Sequence, residues 1–373
     1  MPEYELTNAQ RECFGLCPVE PWWTRFYVKT SHYDDFTAIA YAGNDTVKKL
    51  IRVSDKMYVE DEMDEAISPD HTILYPKTEK GKPAKLSAAV LLKRKSRGMC
   101  LSWYDKHIML YSADNERNYY TNDYDGTVIS GFCDFTEWVN AWCGDTTEED
   151  LADLRAFAAE PRKHVSYRAG DVFRFSVGRR HYGYGRILVD YPKMRKTKTP
   201  FWDIFMGTAL ECAVFPILTP RRDVTVEELR ALPPLPSCIV TDNRIWFGEY
   251  EIVGNLPIRE NEEYAIHYGK SIDMTERALS RINFQYCPVF ISRFGELPIP
   301  VGNDFSFHSV SFDLNVNRKI LEEIISVGNN GPYWALAPSH VTGRDLRNPA
   351  YAQQRKAVML QMLGAADGKD NGA

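Results

Sequence analysis

Residues that could hold a catalytic metal are scattered along this sequence. The two nearest of its eight histidines, His164 and His181, are seventeen positions apart. A hydrolytic zinc centre usually draws on histidines at short local spacing, for example on one face of a helix. Cys13 and Cys17 form a close cysteine pair, but no second pair follows to complete a zinc site. The sequence therefore predicts no metal and no cofactor.

Motifs for nucleophilic and phosphoryl-transfer chemistry are also missing. The sequence has no Gly-x-Ser-x-Gly elbow, no Walker A loop and no set of kinase signatures. One glycine-rich segment, Tyr182-Gly183-Tyr184-Gly185-Arg186, invites comparison with a phosphate-binding loop. Such a loop needs its glycines at a strand-to-helix turn, whereas the strand-like residues 187–189 follow here. We therefore predict no catalytic residue.

The glycine-rich segment has two interpretations. In the first, its glycines mark a bulged or tightly curved strand, where the missing side chains let a ring or backbone approach closely. Gly183 and Gly185 are then structural, as are Gly170 and Asp171 at the start of the preceding strand. An ion pair between Asp171 and Arg186 across the hairpin would belong to the same structural motif.

In the second interpretation, the segment forms a face that binds a partner. Tyrosine and arginine are enriched among the residues that dominate interface energetics. The candidates are Tyr182, Tyr184 and Arg186, with Arg179 and Arg180 in the adjoining turn.

The charge pattern argues against a dedicated nucleic-acid-binding protein. Lys+Arg 45 against Asp+Glu 51 leaves a net charge of −6, whereas a nucleic-acid-binding surface would make the chain basic. The basic segments 93–97 and 193–198 are short, and we interpret them as solvated loops. We interpret the acidic stretch 60–65 and the basic stretch 77–85 in the same way.

Composition indicates a globular protein of more than one domain. Hydrophobic residues make up 44% and charged residues 26% of 373 residues, enough for real cores in two or three domains of roughly 100 to 200 residues each. The N-terminus lacks the features of a secretory signal, and no stretch has the length of a membrane helix. The cysteines are too dilute for a disulfide scaffold. These features predict a cytoplasmic protein with reduced thiols.

Helix signals lie at several places along the chain. Capping-box patterns predict short helices after Thr7 and Thr225. The acids of Thr146-Thr147-Glu148-Glu149 predict the start of a longer helix that Pro161 ends. The apolar spacing from Phe135 to Trp142 predicts a helix that Asp134 caps and Gly144 closes. Further helices are predicted after Asn315, ending at Gly328, and over 348–364.

Strand signals dominate the first third and the middle of the chain. They lie at 23–30, 36–41 and 47–53, and then at 172–177 and 182–189 as a hairpin. An apolar run follows at 210–218. A second hairpin is predicted, with strands at 238–241 and 245–253 on either side of Asp242-Asn243. Two last strands are predicted at 284–292 and 305–314.

Together these elements predict an α+β protein. We place an N-terminal α+β domain at 1–160 and a β-rich domain, for which a barrel is one alternative, at 165–295. A C-terminal segment of strand and helices follows at 296–364, either separate or packed on the second domain, and a flexible tail at 365–373.

The middle of the chain resembles a known family. Residues 167–173, which contain Gly170-Asp171-Val172-Phe173, and residues 182–188, which contain the glycine-rich segment, resemble the immunity protein 26 family of bacterial polymorphic toxin systems. Downstream, residues 251–258, Tyr268-Gly269 and Phe284-Gln285 are similar to the later half of that family. The resemblance covers residues 165–290.

The resemblance implies an immunity protein in interbacterial competition, which neutralises a cognate protein toxin by occluding it. If that toxin is a nuclease with a basic cleft, the acids Glu60, Asp61 and Glu62 would steer it by charge. Some members carry a phosphotriesterase label, so an esterase or phosphotriesterase is one alternative function. A nucleic-acid-associated protein that uses the basic loops is another. Neither the toxin nor the oligomeric state follows from the sequence.

Overall fold

A computed structural model of the chain describes residues 4–196, 208–235, 237–258, 314 and 316–328, and the backbone of three strands between 268 and 294. The chain divides into two compact units, Met1–His164 and Val165–Ala373. Both combine helices with antiparallel sheets, so the predicted α+β class is confirmed.

The first unit is built on a seven-stranded antiparallel sheet. In spatial order its strands are β1 (Thr24–Val28), β2 (Thr37–Gly43), β3 (Thr46–Ser54), β4 (Met57–Ala66), β7 (Arg97–Tyr104), β8 (His107–Ser112) and β9 (Arg117–Thr121). Between β4 and β7 the chain forms β5 (Ile73–Leu74), β6 (Ala84–Lys85) and the short helix α2 (Ala88–Leu91). The other helices are α1 (Asn8–Cys13), α3 (Asn122–Asp125), α4 (Phe132–Asp145) and α5 (Glu148–Ala159).

Aromatic side chains fill the core of this unit. Phe14, just after α1, stacks on Trp138 and Trp142 of α4 with ring centroids 5.5 and 5.6 Å apart. Phe135 of α4 stacks on Trp103 of β7 at 4.8 Å. The helical spacing of the α4 aromatics therefore marks the face that packs on the sheet, as the sequence predicts.

Local capping signals set several helix ends. Capping boxes are present at Thr7 and Thr225, as predicted. A third lies at Thr147 with Asp150, where the sequence predicted a helix start from its acids alone. The predicted ends of α4 are wrong, because the helix begins after Gly131, three residues before Asp134, and runs through Gly144. Asp134 instead accepts the backbone N–H of Ser130 and so bonds the loop before the helix.

The acidic stretch 60–65 is not the solvated loop predicted from its charge. It lies within β4, where residues 57 to 61 are all buried. β4 is flanked by β3, which carries Lys48, Lys49 and Arg52. Cross-strand pairing with these bases compensates the acids, and that is why such a charged segment can form a central strand.

The second unit contains a five-stranded antiparallel sheet. Its spatial order is β13 (Cys238–Thr241), β12 (Ala209–Val214), β11 (Tyr182–Asp190), β10 (Asp171–Ser176) and β14 (Glu251–Asn255). Over the described residues β13 and β14 are its terminal strands, so this sheet is open and not a barrel. The helices are α6 (Tyr191–Arg195), α7 (Val226–Arg230), α8 (Asn243–Trp246) and α9 (Arg318–Gly328). A separate sheet is formed by β15 (Tyr268–Ile272), β16 (Ser280–Gln285) and β17 (Phe290–Phe294).

The predicted second hairpin, over 238–241 and 245–253, is wrong. Asp242 precedes α8, and its carboxylate accepts the Tyr167 hydroxyl at 2.5 Å. Gly248, with φ of 74°, then turns the chain so that β14 pairs with β10 and not with β13. A long-range hydrogen bond thus overrides the local turn signal.

The predictions for the C-terminal segment fall partly outside the described residues. Asn317, and not the predicted Asn315, caps α9 by accepting the backbone N–H of Ile320 at 2.9 Å. The strand predicted at 305–314, apart from Leu314, the helix at 348–364 and the tail at 365–373 lie outside the described residues.

Candidate functional site

The β10–β11 hairpin predicted from the sequence is present, and its glycines accept two phenylalanine rings. Phe173 pairs with Gly185 and Phe175 pairs with Gly183. A Cβ atom at either glycine would lie 2.4 Å from the Cζ atom of its paired phenylalanine, closer than a Cβ contact allows. Both rings are buried. This packing supports a structural role for the two glycines.

A tight turn at Gly170 and Asp171 precedes the hairpin. Gly170 has φ of 92°, and its N–H donates to Ile187 at 2.8 Å. The Asp171 carboxylate accepts the Arg168 backbone N–H at 2.8 Å and the Asn255 side-chain amide at 2.7 Å. Asp171 therefore joins β10 to the end of β14, and the ion pair with Arg186 stays a prediction.

Three of the predicted binding residues in the hairpin are buried: Tyr182 is 8% exposed, and Tyr184 and Arg186 are more deeply buried. Tyr184 is 0% exposed, and its hydroxyl donates to the backbone carbonyl of Arg221 at 2.9 Å. Arg186 is 2% exposed in the middle of β11. A contact residue must reach the partner, so both side chains act as scaffold in this conformation. The sequence could not reveal this, because alternation along a strand does not say whether both faces are covered.

Tyr182, at the start of β11, lies between two arginines. The guanidinium carbons of Arg174 and Arg222 are each 5.1 Å from the centroid of its ring. Arg222 Nε also donates to the Tyr182 hydroxyl at 2.5 Å, and Arg174 Nη1 donates to the Arg222 carbonyl at 2.6 Å. Arg174 further pairs with Glu251. Cation–π contacts and hydrogen bonds thus hold the two arginines in place.

Exposed arginines surround this stack. Arg179 is half-buried and Arg180 is exposed in the turn that precedes Tyr182. That turn lies beside the loop carrying Arg221 and Arg222, because Tyr182 and Thr219 exchange backbone hydrogen bonds at 2.8 and 3.1 Å. We call Arg174, Arg180, Tyr182, Arg221 and Arg222 the arginine cluster. Its exposed arginines form a charged surface around the buried ring of Tyr182.

The hairpin and its neighbouring strands fall within a recognisable family segment. Residues 168–277 match the family model of immunity protein 26. The resemblance seen in the sequence is thereby confirmed over this segment, and the match supports an immunity-protein role. Searches of curated proteins and of solved structures gave no match.

The immunity-26 segment contains the whole arginine cluster. Sequence reasoning named Arg180 and Tyr182 but missed Arg174, Arg221 and Arg222. Two features could have pointed to these arginines. One is the Arg221-Arg222 pair beside Pro220, and the other is the position of Arg174 opposite Tyr184 in the hairpin. Neither signal shows that the two sequence regions meet, which depends on the pairing of Tyr182 with Thr219.

In the first unit, Glu60 lies at the centre of a buried ionic cluster. Its carboxylate lies 2.7 Å from Arg11 Nε and 2.6 Å from Lys49 Nζ, and it accepts the Tyr58 hydroxyl at 2.5 Å. Burial alone would raise the pKa of Glu60, but Lys49 and Arg11 outweigh it and lower that pKa below its usual value. Glu60 is 0% exposed, so it ties α1 to the sheet and has no surface for steering a toxin.

The other two predicted steering acids are also engaged within the sheet. Asp61 is buried, and its carboxylate pairs with Arg52 at 3.0 Å and accepts hydroxyls of Ser96 and Tyr111 at 3.0 and 3.2 Å. Glu62 is half-buried and accepts the backbone N–H of Cys17. Burial raises the pKa of Glu62. These contacts leave little uncompensated negative charge to attract a basic partner.

Two observations concern the alternative of a metal-dependent hydrolase. No group of three or more histidine, cysteine, aspartate or glutamate side chains there could hold a metal ion. Burial lowers the pKa of His181, and the positive charge of nearby Arg318 lowers it further. His267 lies outside the described residues.

Each helix of the described part is too short or too polar to traverse a bilayer.

Proposed function

We propose that this protein is an immunity protein that binds a cognate protein toxin and blocks it by occlusion, without catalysis. The match of residues 168–277 to immunity protein 26 carries this proposal. Occlusion requires a rigid, accessible surface and no catalytic group, and the arginine cluster is such a surface.

The arginine cluster suits this task for two physical reasons. Its central side chains are held in place before the partner arrives, so that binding costs less side-chain entropy. Its residue types, arginine and tyrosine, are those that dominate interface energetics. Arg221 is 52% exposed, and Arg180 and Arg222 are exposed as well. A surface of this kind fits an acidic patch on the toxin, whereas the compensated acids of β4 no longer favour a basic nuclease cleft.

Charge reversal at the exposed arginines tests this proposal. The partner to be tested is the protein encoded by the neighbouring gene, and binding is measured by calorimetry with full-length protein. Arg180→Glu and Arg221→Glu should each weaken binding by about 30-fold, equivalent to ~2 kcal/mol, and should remove protection of cells in proportion. Thermal stability should change little, because both side chains are exposed.

Arg155→Glu is the matched control, since Arg155 is 67% exposed on α5 and outside the immunity-26 segment. It should bind as the parent does. If the parent protein forms no complex and gives no protection, the immunity function is wrong. If it binds and the double variant Arg180→Glu/Arg221→Glu binds equally well, the function stands but the surface is wrong.

A further inference from the structure

Two cysteines face each other across strands β12 and β13. Cys212 and Cys238 are direct partners in the antiparallel register, so their side chains project to the same side of the sheet. Both are buried and both are in the reduced form. Nothing in the proposed toxin-binding surface uses them.

The hydrogen-bond pattern of this strand pair sets the spacing of the two backbones. The Asp242 N–H donates to the Thr208 carbonyl at 2.7 Å, one position beyond the Ala209 and Thr241 pair. Hydrogen-bonded pairs recur at every second position in an antiparallel ladder, which makes Cys212 and Cys238 such a pair. Their Cα atoms are then expected about 5.5 Å apart, within the range of about 4.4 to 6.8 Å that disulfides span. Their Cβ atoms, also about 5.5 Å apart at such a pair, must approach to about 4.5 Å, so the disulfide would be strained and easily reduced.

We propose that Cys212 and Cys238 form a reversible disulfide, with a peroxide as the oxidant. This is a redox modification site separate from the arginine cluster. In β13, Cys238 is the first residue of a four-residue strand that ends the described sheet. Short terminal strands open locally at a lower free energy than central strands do. Opening of β13 therefore gives peroxide access to Cys238.

The chemistry balances with two thiols and one peroxide. The Cys238 thiolate attacks an oxygen of hydrogen peroxide, which breaks the O–O bond, releases hydroxide and leaves a sulfenic acid. The Cys212 thiolate then attacks the sulfur of that sulfenic acid, the S–S bond forms, and the sulfenic oxygen leaves as hydroxide. With the protons that the two thiols release, the products are one disulfide and two water molecules.

The closed sheet makes this reaction slow. Burial raises the pKa of the Cys212 thiol well above its usual value, and Cys238 and Glu211 raise it further. The reactive thiolate is therefore scarce until β13 opens. Once formed, the disulfide links β13 to β12 and should protect the β13 amides from hydrogen exchange.

Peptide mapping of the oxidised full-length protein tests the site. The folded protein is treated with hydrogen peroxide, the remaining thiols are blocked with iodoacetamide, and the digest is analysed by mass spectrometry without reduction. We expect a Cys212–Cys238 linked peptide as the main disulfide product, lost after dithiothreitol. Exposed Cys17 and Cys133 report that the oxidant reached the protein.

Two controls distinguish a cysteine pair that the fold holds together from nonspecific oxidation. In 8 M urea the preference for Cys212 with Cys238 should disappear among the eight cysteines. Cys238→Ala should remove only this linkage, whereas Cys133→Ala should leave it intact. The proposal is overturned if Cys17 and Cys133 oxidise fully while Cys212 and Cys238 stay reduced, or if Cys212 links equally to other cysteines in the folded protein.

Discussion

At the scale of single residues, two buried glutamates have opposite environments. Glu60 lies between Arg11 and Lys49, whereas Glu211 accepts hydroxyls from Tyr191 at 2.7 Å and Ser237 at 2.5 Å. The cations lower the pKa of Glu60 despite its burial, and burial raises the pKa of Glu211 despite the two donated hydrogen bonds. The two carboxyl groups should therefore affect stability with opposite dependence on pH.

Replacing Glu60 should destabilise the first unit strongly. Glu60→Gln leaves Arg11 and Lys49 buried without a compensating charge, at a cost of about 3 to 5 kcal/mol at pH 7 in urea titrations. Because the folded pKa is lowered, the stability that Glu60 contributes is present above its usual pKa of 4.5 and is lost as pH falls through the folded value. The difference between variant and parent should thus shrink in acid. Asp64→Asn, at an exposed ion pair, should cost about 0 to 1 kcal/mol.

Replacing Glu211 should have the opposite pH signature. Its folded pKa is raised, so the unfolded chain ionises first as pH rises above 4.5, and the parent loses stability until the folded group ionises as well. Glu211→Gln removes this loss. The variant should gain stability relative to the parent between pH 4 and pH 8, measured by urea unfolding. An equal difference at both pH values would show that folding does not shift the pKa of Glu211, contrary to this prediction.

At the scale of elements, the β10–β11 hairpin depends on the missing side chains of its glycines. Gly185→Val should cost roughly 1 to 3 kcal/mol, because the buried ring of Phe173 must move. Chemical denaturation measures this cost. Gly144→Ala is the control: no atom lies within 4 Å of its Cβ position in α4, and the change should stabilise that helix by about 1 kcal/mol. Unchanged stability with weaker toxin binding would assign Gly185 to the binding surface.

At the scale of the whole molecule, the first unit has the size and the aromatic core of an independent domain. Residues 1–164 form one compact unit around a seven-stranded sheet. We expect this fragment, expressed alone, to unfold in one cooperative transition in urea, followed by near-ultraviolet circular dichroism of its tryptophans. It should not bind the toxin, because the immunity-26 segment begins at residue 168. A gradual transition would show that this unit requires the rest of the chain to fold.

The sequence by itself determined those features whose signals lie close together along the chain. The capping boxes at Thr7 and Thr225 involve residues three positions apart, and the α4 aromatics recur at helical spacing. The β10–β11 hairpin follows from alternation on both sides of one turn. The α+β class and the resemblance to immunity protein 26 rest on the same kind of local pattern.

Tertiary structure decided which charged and aromatic side chains are covered. A charged segment such as 60–65 becomes a central strand only because bases from β3 lie beside it. Tyr184 and Arg186 are buried because other strands and loops cover both faces of β11, and the arginine cluster forms because the loop at 219–222 pairs with Tyr182. These contacts join residues distant in sequence, and their energies depend on packing and burial that no local pattern encodes.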